Sequence, residues 1–143
     1  MPTRQAHATW EGDLPTGRGR MALGSGAYEG TYSFQTRMGD QPGTNPEELI
    51  GAALAGCFSM ALALGLTQAG GAVRRVQTDA RVHFEQDQGH WTITRIDLST
   101  EAEVAGVDQA AFQAIAHETK ANCPVSRALA ATEIRLDARL NAV

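Results

Sequence analysis

The two cysteines, Cys57 and Cys123, are the residues of this sequence that could most directly support chemistry. A thiolate can attack a peroxide or a disulfide, and a second thiol can then condense with the oxidised sulfur to form a disulfide. The pair therefore predicts redox chemistry at sulfur, with a structural role for each thiol as the alternative.

The neighbouring residues predict different properties for the two thiols. Cys57 lies in a long apolar stretch, and its neighbours at helical spacing are Ala53, Leu54, Met60, Ala61 and Leu64. These neighbours favour an inert buried thiol, because burial raises the pKa of a thiol unless a cation lies close to it. Cys123 precedes Pro124 at a predicted helix start, where a stabilised thiolate and a simple helix cap are equally open. Of the two thiols, the residues alone favour Cys123 as the one with the lower pKa.

Other catalytic and binding motifs find no support. The segment 17–22 fits the pattern G-x-G-x-x-A, but no strand is predicted before it and no helix after it, so a dinucleotide-binding loop is not expected. The four histidines show no metal-ligand spacing, and no G-x-S-x-G motif is present. We therefore expect no bound metal and no bound cofactor.

The composition is that of a soluble globular protein. Twelve basic residues against sixteen acidic ones give a net charge of −4 without a basic cluster, which excludes nucleic acid and anionic membranes as expected partners. A length of 143 residues predicts a single domain over 1–143. Two cysteines and an N-terminus without signal-peptide features predict a cytoplasmic protein.

A central helix has a clear predicted start and end. Thr44-Asn45-Pro46-Glu47-Glu48 offers a capping side chain, a proline in the first turn and two acidic residues, and Gly70-Gly71 favours its end. Residues 49–73 carry no charge and are long enough to span a membrane. Because they are rich in Ala and Gly, we expect instead a helix that is buried on all sides.

Shorter elements surround this helix in the prediction. Three strands precede it, a hairpin follows it around Asp87-Gln88-Gly89, and a second helix capped by Asp108 ends at Asn122-Cys123-Pro124, where a short helix can restart. The predicted strands are Gln5–Trp10, Arg20–Leu23, Tyr32–Met38, Thr78–Glu85, Trp91–Val104 and Ile134–Leu140. The order βββ-α-ββ-α-β predicts an α+β fold with two helices and antiparallel sheets.

Several of these segments together resemble the OsmC/Ohr family. The segments are Thr36-Arg37, the stretch from Gly43 to Ala53, Gly56-Cys57-Phe58-Ser59-Met60-Ala61-Leu62 and Asn122-Cys123-Pro124-Val125-Ser126. The opening Ala8-Thr9-Trp10-Glu11-Gly12 is similar to the OsmC branch in particular. The resemblance covers nearly the whole chain.

The resemblance implies a thiol peroxidase that reduces organic hydroperoxides, and in addition hydrogen peroxide, in the bacterial cytoplasm. It also implies an intertwined homodimer with a site at each subunit interface, no bound metal, haem or flavin, and recycling by an external dithiol carried by a lipoyl-bearing protein. A non-catalytic redox sensor with the same cysteine pair and a ligand-binding dimer are the alternatives.

The resemblance also implies roles for individual residues. Cys57 would be the peroxidatic thiol and Cys123 the resolving one, while Arg37 would polarise the thiolate and Glu47 would position Arg37. Taken by themselves, Arg37 is a charge at the end of a strand and Glu47 a helix-capping acid. Leu54, Met60 and Leu64 would bind the hydrocarbon part of the substrate, with ordinary core packing as the alternative.

Helix geometry places a condition on the role of Glu47. Glu47 and Cys57 are ten positions apart, which on one straight helix is about 15 Å along the axis. A glutamate side chain cannot span that distance. If Glu47 serves the thiol, we expect it to come from the other subunit.

Overall fold

The computed structural model describes all residues from Met1 to Val143, and the chain divides into two compact units, Met1–Leu49 and Ile50–Val143. The single-domain assignment of residues 1–143 therefore stays a prediction.

The first unit contains a three-stranded antiparallel sheet and a short helix. The sheet has the order β1-β2-β3, and the elements are β1 Ala6–Glu11, β2 Arg18–Leu23, β3 Glu29–Tyr32 and α1 Phe34–Met38. The predicted strands Gln5–Trp10 and Arg20–Leu23 are confirmed close to their predicted bounds.

The predicted strand Tyr32–Met38 is wrong, because the chain turns into α1 directly after β3. Ser33 caps this helix: its hydroxyl accepts a hydrogen bond from the backbone N–H of Thr36 at 3.2 Å, and the Thr36 hydroxyl accepts one from the backbone N–H of Ser33 at 2.8 Å. Such a reciprocal box satisfies two backbone donors that a helix start would otherwise leave unpaired. Arg37 consequently lies in a helix and not at the end of a strand.

The helix α2 begins in the first unit and continues through the second. The elements of the second unit are the remainder of α2 Pro46–Gln68, β4 Ala72–Asp87, β5 His90–Ala105, α3 Gln109–Asn122, α4 Pro124–Ala128 and β6 Glu133–Ala142. The predicted central helix, hairpin and second helix are confirmed, and the short helix after Pro124 is present. The hairpin turn holds Gln88 and Gly89 at φ of 50° and 82°, the conformation that a two-residue turn with the natural strand twist requires.

The second sheet has the order β4-β5-β6 and is mixed. β4 and β5 are antiparallel, whereas β6 is parallel to β5, so the prediction of antiparallel sheets is wrong for this pair. The reason is the crossover: α3 and α4 carry the chain back to the beginning of β5 before β6 starts, and parallel neighbours need such a connection. The α+β class is confirmed, and α1 is the helix that was not predicted.

One face of α2 forms the core of the second unit, and another is exposed. The core residues of α2 recur every four positions and are Leu54, Phe58, Leu62 and Leu66, all fully buried beside residues of β5 and α3. Met60 and Leu64 are 79% and 59% exposed, so the prediction of a helix buried on all sides is wrong for the single chain. α2 is also the one helix long and apolar enough to cross a membrane. The four buried residues on one face identify α2 instead as the core helix of the second unit.

Candidate active site

The two thiols are neighbours in the second unit. Cys57 lies in α2 and is partly buried, and Cys123 lies between α3 and α4 with 2% of its surface exposed. Both are free, and they are near enough for each thiol to shift the pKa of the other. The proximity of the two thiols agrees with the expectation from the sequence that they could react with each other.

The backbone of Cys123 is fixed by the two helices that it joins. Its N–H donates to the Thr119 carbonyl at 2.9 Å, and its carbonyl accepts from the N–H of Arg127 at 3.0 Å. Proline at position 124 disfavours helix at the residue before it, and Cys123 has the extended angles φ −62° and ψ 140°. The break between α3 and α4 therefore sets the direction of the Cys123 side chain.

Ser126, in the first turn of α4, makes two hydrogen-bond contacts with the Cys123 sulfur. The Ser126 hydroxyl lies 3.1 Å from Sγ, and the Ser126 backbone N–H donates to Sγ at 3.4 Å. Ser126 is itself buried, with 5% of its surface exposed. Ser126 was not among the predicted site residues. The signal that could have identified it is a hydroxyl three positions after a predicted cap residue, the spacing of a capping interaction.

The pKa values of the two thiols are shifted in opposite directions. Burial raises the pKa of Cys57, and the Cys123 thiol acts in the same direction, against a hydrogen bond from the Val125 backbone. Burial also acts to raise the pKa of Cys123, but hydrogen bonds from Ser126, Cys57 and the Val125 backbone outweigh it, and the pKa lies below its usual value. This order agrees with the expectation from the residues alone.

An open cleft of about 380 Å³ lies beside Cys123 and is lined by α2 and α3. Leu64, Ile115 and Cys123 contribute to it, and Glu118 provides a carboxylate. Of the three predicted pocket residues, Leu64 lines this cleft, Met60 is exposed on α2, and Leu54 is fully buried in the core. A role of the three in substrate binding stays a prediction.

Arg37 and Glu47 form an ion pair within the first unit. The Arg37 Nη2 lies 2.6 Å from Glu47 Oε1, and Nε donates to both carboxylate oxygens at 3.0 and 3.2 Å. The glutamate side chain is 9% exposed and the arginine side chain 41%. The carboxylate thus holds a partly accessible guanidinium in one orientation.

Hydrogen bonds at the start of α2 fix the segment that carries this pair. Asn45 caps the helix by accepting from the backbone N–H of Glu48 at 2.8 Å, and its amide donates to the Thr36 carbonyl at 3.2 Å. The Thr36 hydroxyl donates to the Thr44 carbonyl at 2.8 Å. These bonds join the end of α1 to the start of α2, so Arg37 and Glu47 are presented on connected backbone. No group of three or more His, Cys, Asp or Glu side chains is arranged to hold a metal ion.

Comparison with known proteins identifies the family. Residues 39–138 match the family described as OsmC-like protein. The chain is 44% identical to peroxiredoxin OsmC of Escherichia coli K12 over 138 residues, which is 96% of each chain. The chain belongs to the OsmC-like family. The predicted resemblance is confirmed, and so is the prediction of an enzyme of the peroxidase type.

Solved structures agree with the fold of this OsmC-like protein. An OsmC-like protein from Vibrio cholerae superposes with a TM-score of 0.77 at 16% identity, covering 96% of this chain and 99% of that one. An organic hydroperoxide resistance protein from Elizabethkingia anophelis superposes with a TM-score of 0.72 at 21% identity, covering 99% of both chains. At these identities the likeness supports the α+β fold of the OsmC-like protein.

Proposed function

We propose that this protein is a thiol peroxidase that reduces organic hydroperoxides, and hydrogen peroxide in addition, through Cys57 and Cys123. The observation that carries the proposal is the placement of the two cysteines as free, neighbouring thiols. The substrate class is supported by the Elizabethkingia relative, which is named an organic hydroperoxide resistance protein.

Cys57 is the peroxidatic thiol in this proposal because it is the more exposed of the two. Its thiolate attacks the terminal peroxide oxygen, so that an S–O bond forms while the O–O bond breaks. The alkoxide takes up a proton and leaves as the alcohol, and Cys57 becomes a sulfenic acid. The Cys123 thiolate then attacks the sulfenic sulfur, and the hydroxyl leaves as water with one proton to give the Cys57–Cys123 disulfide.

Arg37 provides the positive charge that the Cys57 thiolate requires. Burial raises the pKa of Cys57, and a guanidinium close to the sulfur would oppose that effect. Glu47 orients the guanidinium through the ion pair described above. The distance along the helix between Glu47 and Cys57 is too long for one side chain to span. This distance argues that the Arg37–Glu47 ion pair beside Cys57 comes from the partner subunit.

A homodimer is the assembly that supplies such a partner. The apolar face of α2, formed by Ala53, Gly56, Met60 and Leu64, is exposed in the single chain. A Cβ added at Gly56 would meet nothing within 4 Å, so another backbone can approach closely there. We assign this face to a second copy of the chain, since single soluble chains rarely leave a continuous apolar face in water.

An external dithiol completes the cycle. One of its thiolates attacks the disulfide, and its second thiol resolves the mixed disulfide, which returns both protein thiols and oxidises the donor. A lipoyl-bearing protein is the donor we propose, and the cytoplasm is the compartment, since thiols are kept reduced there. None of these steps requires a bound metal or cofactor.

Steady turnover distinguishes this function from a redox sensor or a ligand-binding dimer. The purified protein should consume an organic hydroperoxide continuously while dithiothreitol is present, and Cys57→Ser should not. A sensor would oxidise once with little turnover, and a ligand-binding dimer would leave the peroxide unchanged. Either result would overturn the proposed function.

A further inference from the structure

Ser126 is a buried residue whose hydroxyl contacts one of the two redox sulfurs. Its Oγ lies 3.1 Å from Cys123 Sγ, and its backbone N–H donates to the same sulfur at 3.4 Å. Cys57 makes no corresponding hydrogen bond with a side-chain hydroxyl; its other partner is the Val125 backbone. The two sulfurs therefore have unequal donors around them.

We propose that Ser126 is a positioning residue that makes Cys123 the leaving sulfur when the Cys57–Cys123 disulfide is reduced, so that the reductant attacks Cys57. The inference rests on the disulfide of the proposed function. An O–H that donates to a sulfur stabilises the thiolate that forms there and has little effect on the sulfur that is attacked. The hydroxyl thus selects one of two otherwise similar S–S cleavage reactions.

The reaction is a single thiol–disulfide exchange. The reductant thiolate forms a bond to Cys57 Sγ while the bond between Cys57 and Cys123 breaks, and its electron pair remains on Cys123 Sγ. The Ser126 hydroxyl donates to this new thiolate. In a second exchange, the other thiol of the dithiol reductant attacks the reductant sulfur that is bonded to Cys57, and Cys57 is released as a thiol. The two electrons come entirely from the dithiol.

Access to the sulfurs favours the same direction of attack. Cys123 is 2% exposed, whereas Cys57 is only partly buried. The Cys123 backbone is also held on both sides by Thr119 and Arg127, so its sulfur can leave without moving away from Ser126. The burial of Cys123 and the position of its backbone therefore favour attack on Cys57, as the hydrogen bonding does.

The acidity of Cys123 supports this role. Its pKa lies below the usual value because hydrogen bonds, with those from Ser126 the strongest, outweigh burial. A thiol of lower pKa leaves a disulfide faster. Cys57 is the ionisable group that acts on the pKa of Cys123, and Glu118 lies in the lining of the adjacent cleft. Neither changes when Ser126 is replaced.

The test uses a disulfide formed without peroxide, so that it does not depend on peroxidase activity. The intact protein is oxidised with diamide and then mixed with 2-mercaptoethanesulfonate, and the mixed disulfide is trapped by acid at early times and located by peptide mass spectrometry. In the wild type we expect the adduct on Cys57. In Ser126→Ala we expect more adduct on Cys123 and a reduction rate about threefold lower, because a leaving thiol of higher pKa leaves the disulfide more slowly.

Two variants separate this role from a structural one. Ser126→Thr keeps the hydroxyl and should restore the adduct on Cys57. Ser59→Ala removes a hydroxyl that donates to Thr78 at 2.7 Å in the same unit, and it should leave the adduct position unchanged. In a Cys57→Ser background, Ser126→Ala should also shift the alkylation of Cys123 to higher pH.

The proposal is overturned if the adduct forms mainly on Cys123 in the wild type, or if Ser126→Ala and Ser59→Ala give the same adduct distribution. It is also overturned if diamide cannot join the two thiols in the folded protein. A failure of peroxide turnover with normal exchange chemistry would contradict the proposed function alone.

Discussion

Arg37 and Glu47 of one chain are joined by three hydrogen bonds, the shortest of them 2.6 Å between Nη2 and Oε1. The two residues therefore act as one group with one orientation. If this guanidinium serves a thiol, the arginine and the glutamate reach it together and from the same chain.

Replacing Arg37 by Met should slow the reaction of Cys57 with hydroperoxide far more than it affects folding. Without the guanidinium, the pKa of Cys57 should rise further, so that fewer molecules carry the thiolate at neutral pH. One pKa unit corresponds to about a tenfold lower rate at pH 7, and the rate should keep rising toward alkaline pH. Stopped-flow oxidation as a function of pH measures this shift.

The free energy of unfolding of Arg37→Met should fall by only about 1–2 kcal/mol, the range for a charged hydrogen-bonded pair in which one side chain, here that of Arg37, is partly exposed. Arg20→Met, which breaks the exposed pair with Glu29, is the matched control and should leave the pH profile unchanged. An unchanged profile in Arg37→Met would remove Arg37 from the site.

Mixed dimers should show which residues belong to the same chain at each site. If the Arg37–Glu47 pair serves the partner's Cys57, a dimer of Cys57→Ser with Glu47→Ala places both changes in one site and leaves the other intact. Such a dimer should recover about half of the wild-type activity by this two-site symmetry, although each parent homodimer is weak.

A dimer of Arg37→Met with Glu47→Ala is the control. Because the two residues form one pair, each site then contains one defect, and no activity should return. Recovery in this control, or none in the Cys57→Ser mixed dimer, would contradict the arrangement across the subunits.

A charge on the exposed face of α2 should prevent assembly. Met60 is 79% exposed in the single chain, and Met60→Glu would bury a carboxylate without a partner if a second copy covers this face. We expect sedimentation to show a monomer with less than a tenth of the wild-type activity, a loss of about 1.4 kcal/mol or more in free-energy terms. Val143→Glu, at a 58% exposed position, should remain a dimer. A dimeric Met60→Glu would place the interface elsewhere.

The sequence predicted the elements with strong local signals. The proline and capping residues before α2, the turn residues of the hairpin and the proline after Cys123 each determine the backbone through local interactions, and all three features are present. The helix α1 escaped prediction because its apolar and polar residues fit a strand, and the capping interaction of Ser33 with Thr36 decides the outcome. The direction of β6 depends on the crossover through α3, which no residue pattern within β6 encodes.

Part of the candidate site could also be predicted from the sequence. The position of Cys123 before Pro124 indicated which of the two thiols has the lower pKa, whereas the hydrogen bonds from Ser126 that lower it were not predicted. The pairing of Arg37 with Glu47 came from the resemblance, since neither residue type nor spacing requires it.

Cys57 and Cys123 together should reduce one hydroperoxide molecule per chain. The most direct measurement titrates the reduced protein with cumene hydroperoxide, without a reductant, and counts the remaining thiols, the alcohol formed and the disulfide-linked peptides. We expect one alcohol per chain, loss of both thiols and an intrachain Cys57–Cys123 disulfide, whereas Cys123→Ser should stop at a sulfenic acid on Cys57 and then overoxidise. A sulfenic acid trapped on Cys123 in Cys57→Ser, or thiols that survive an equivalent of hydroperoxide, would contradict it.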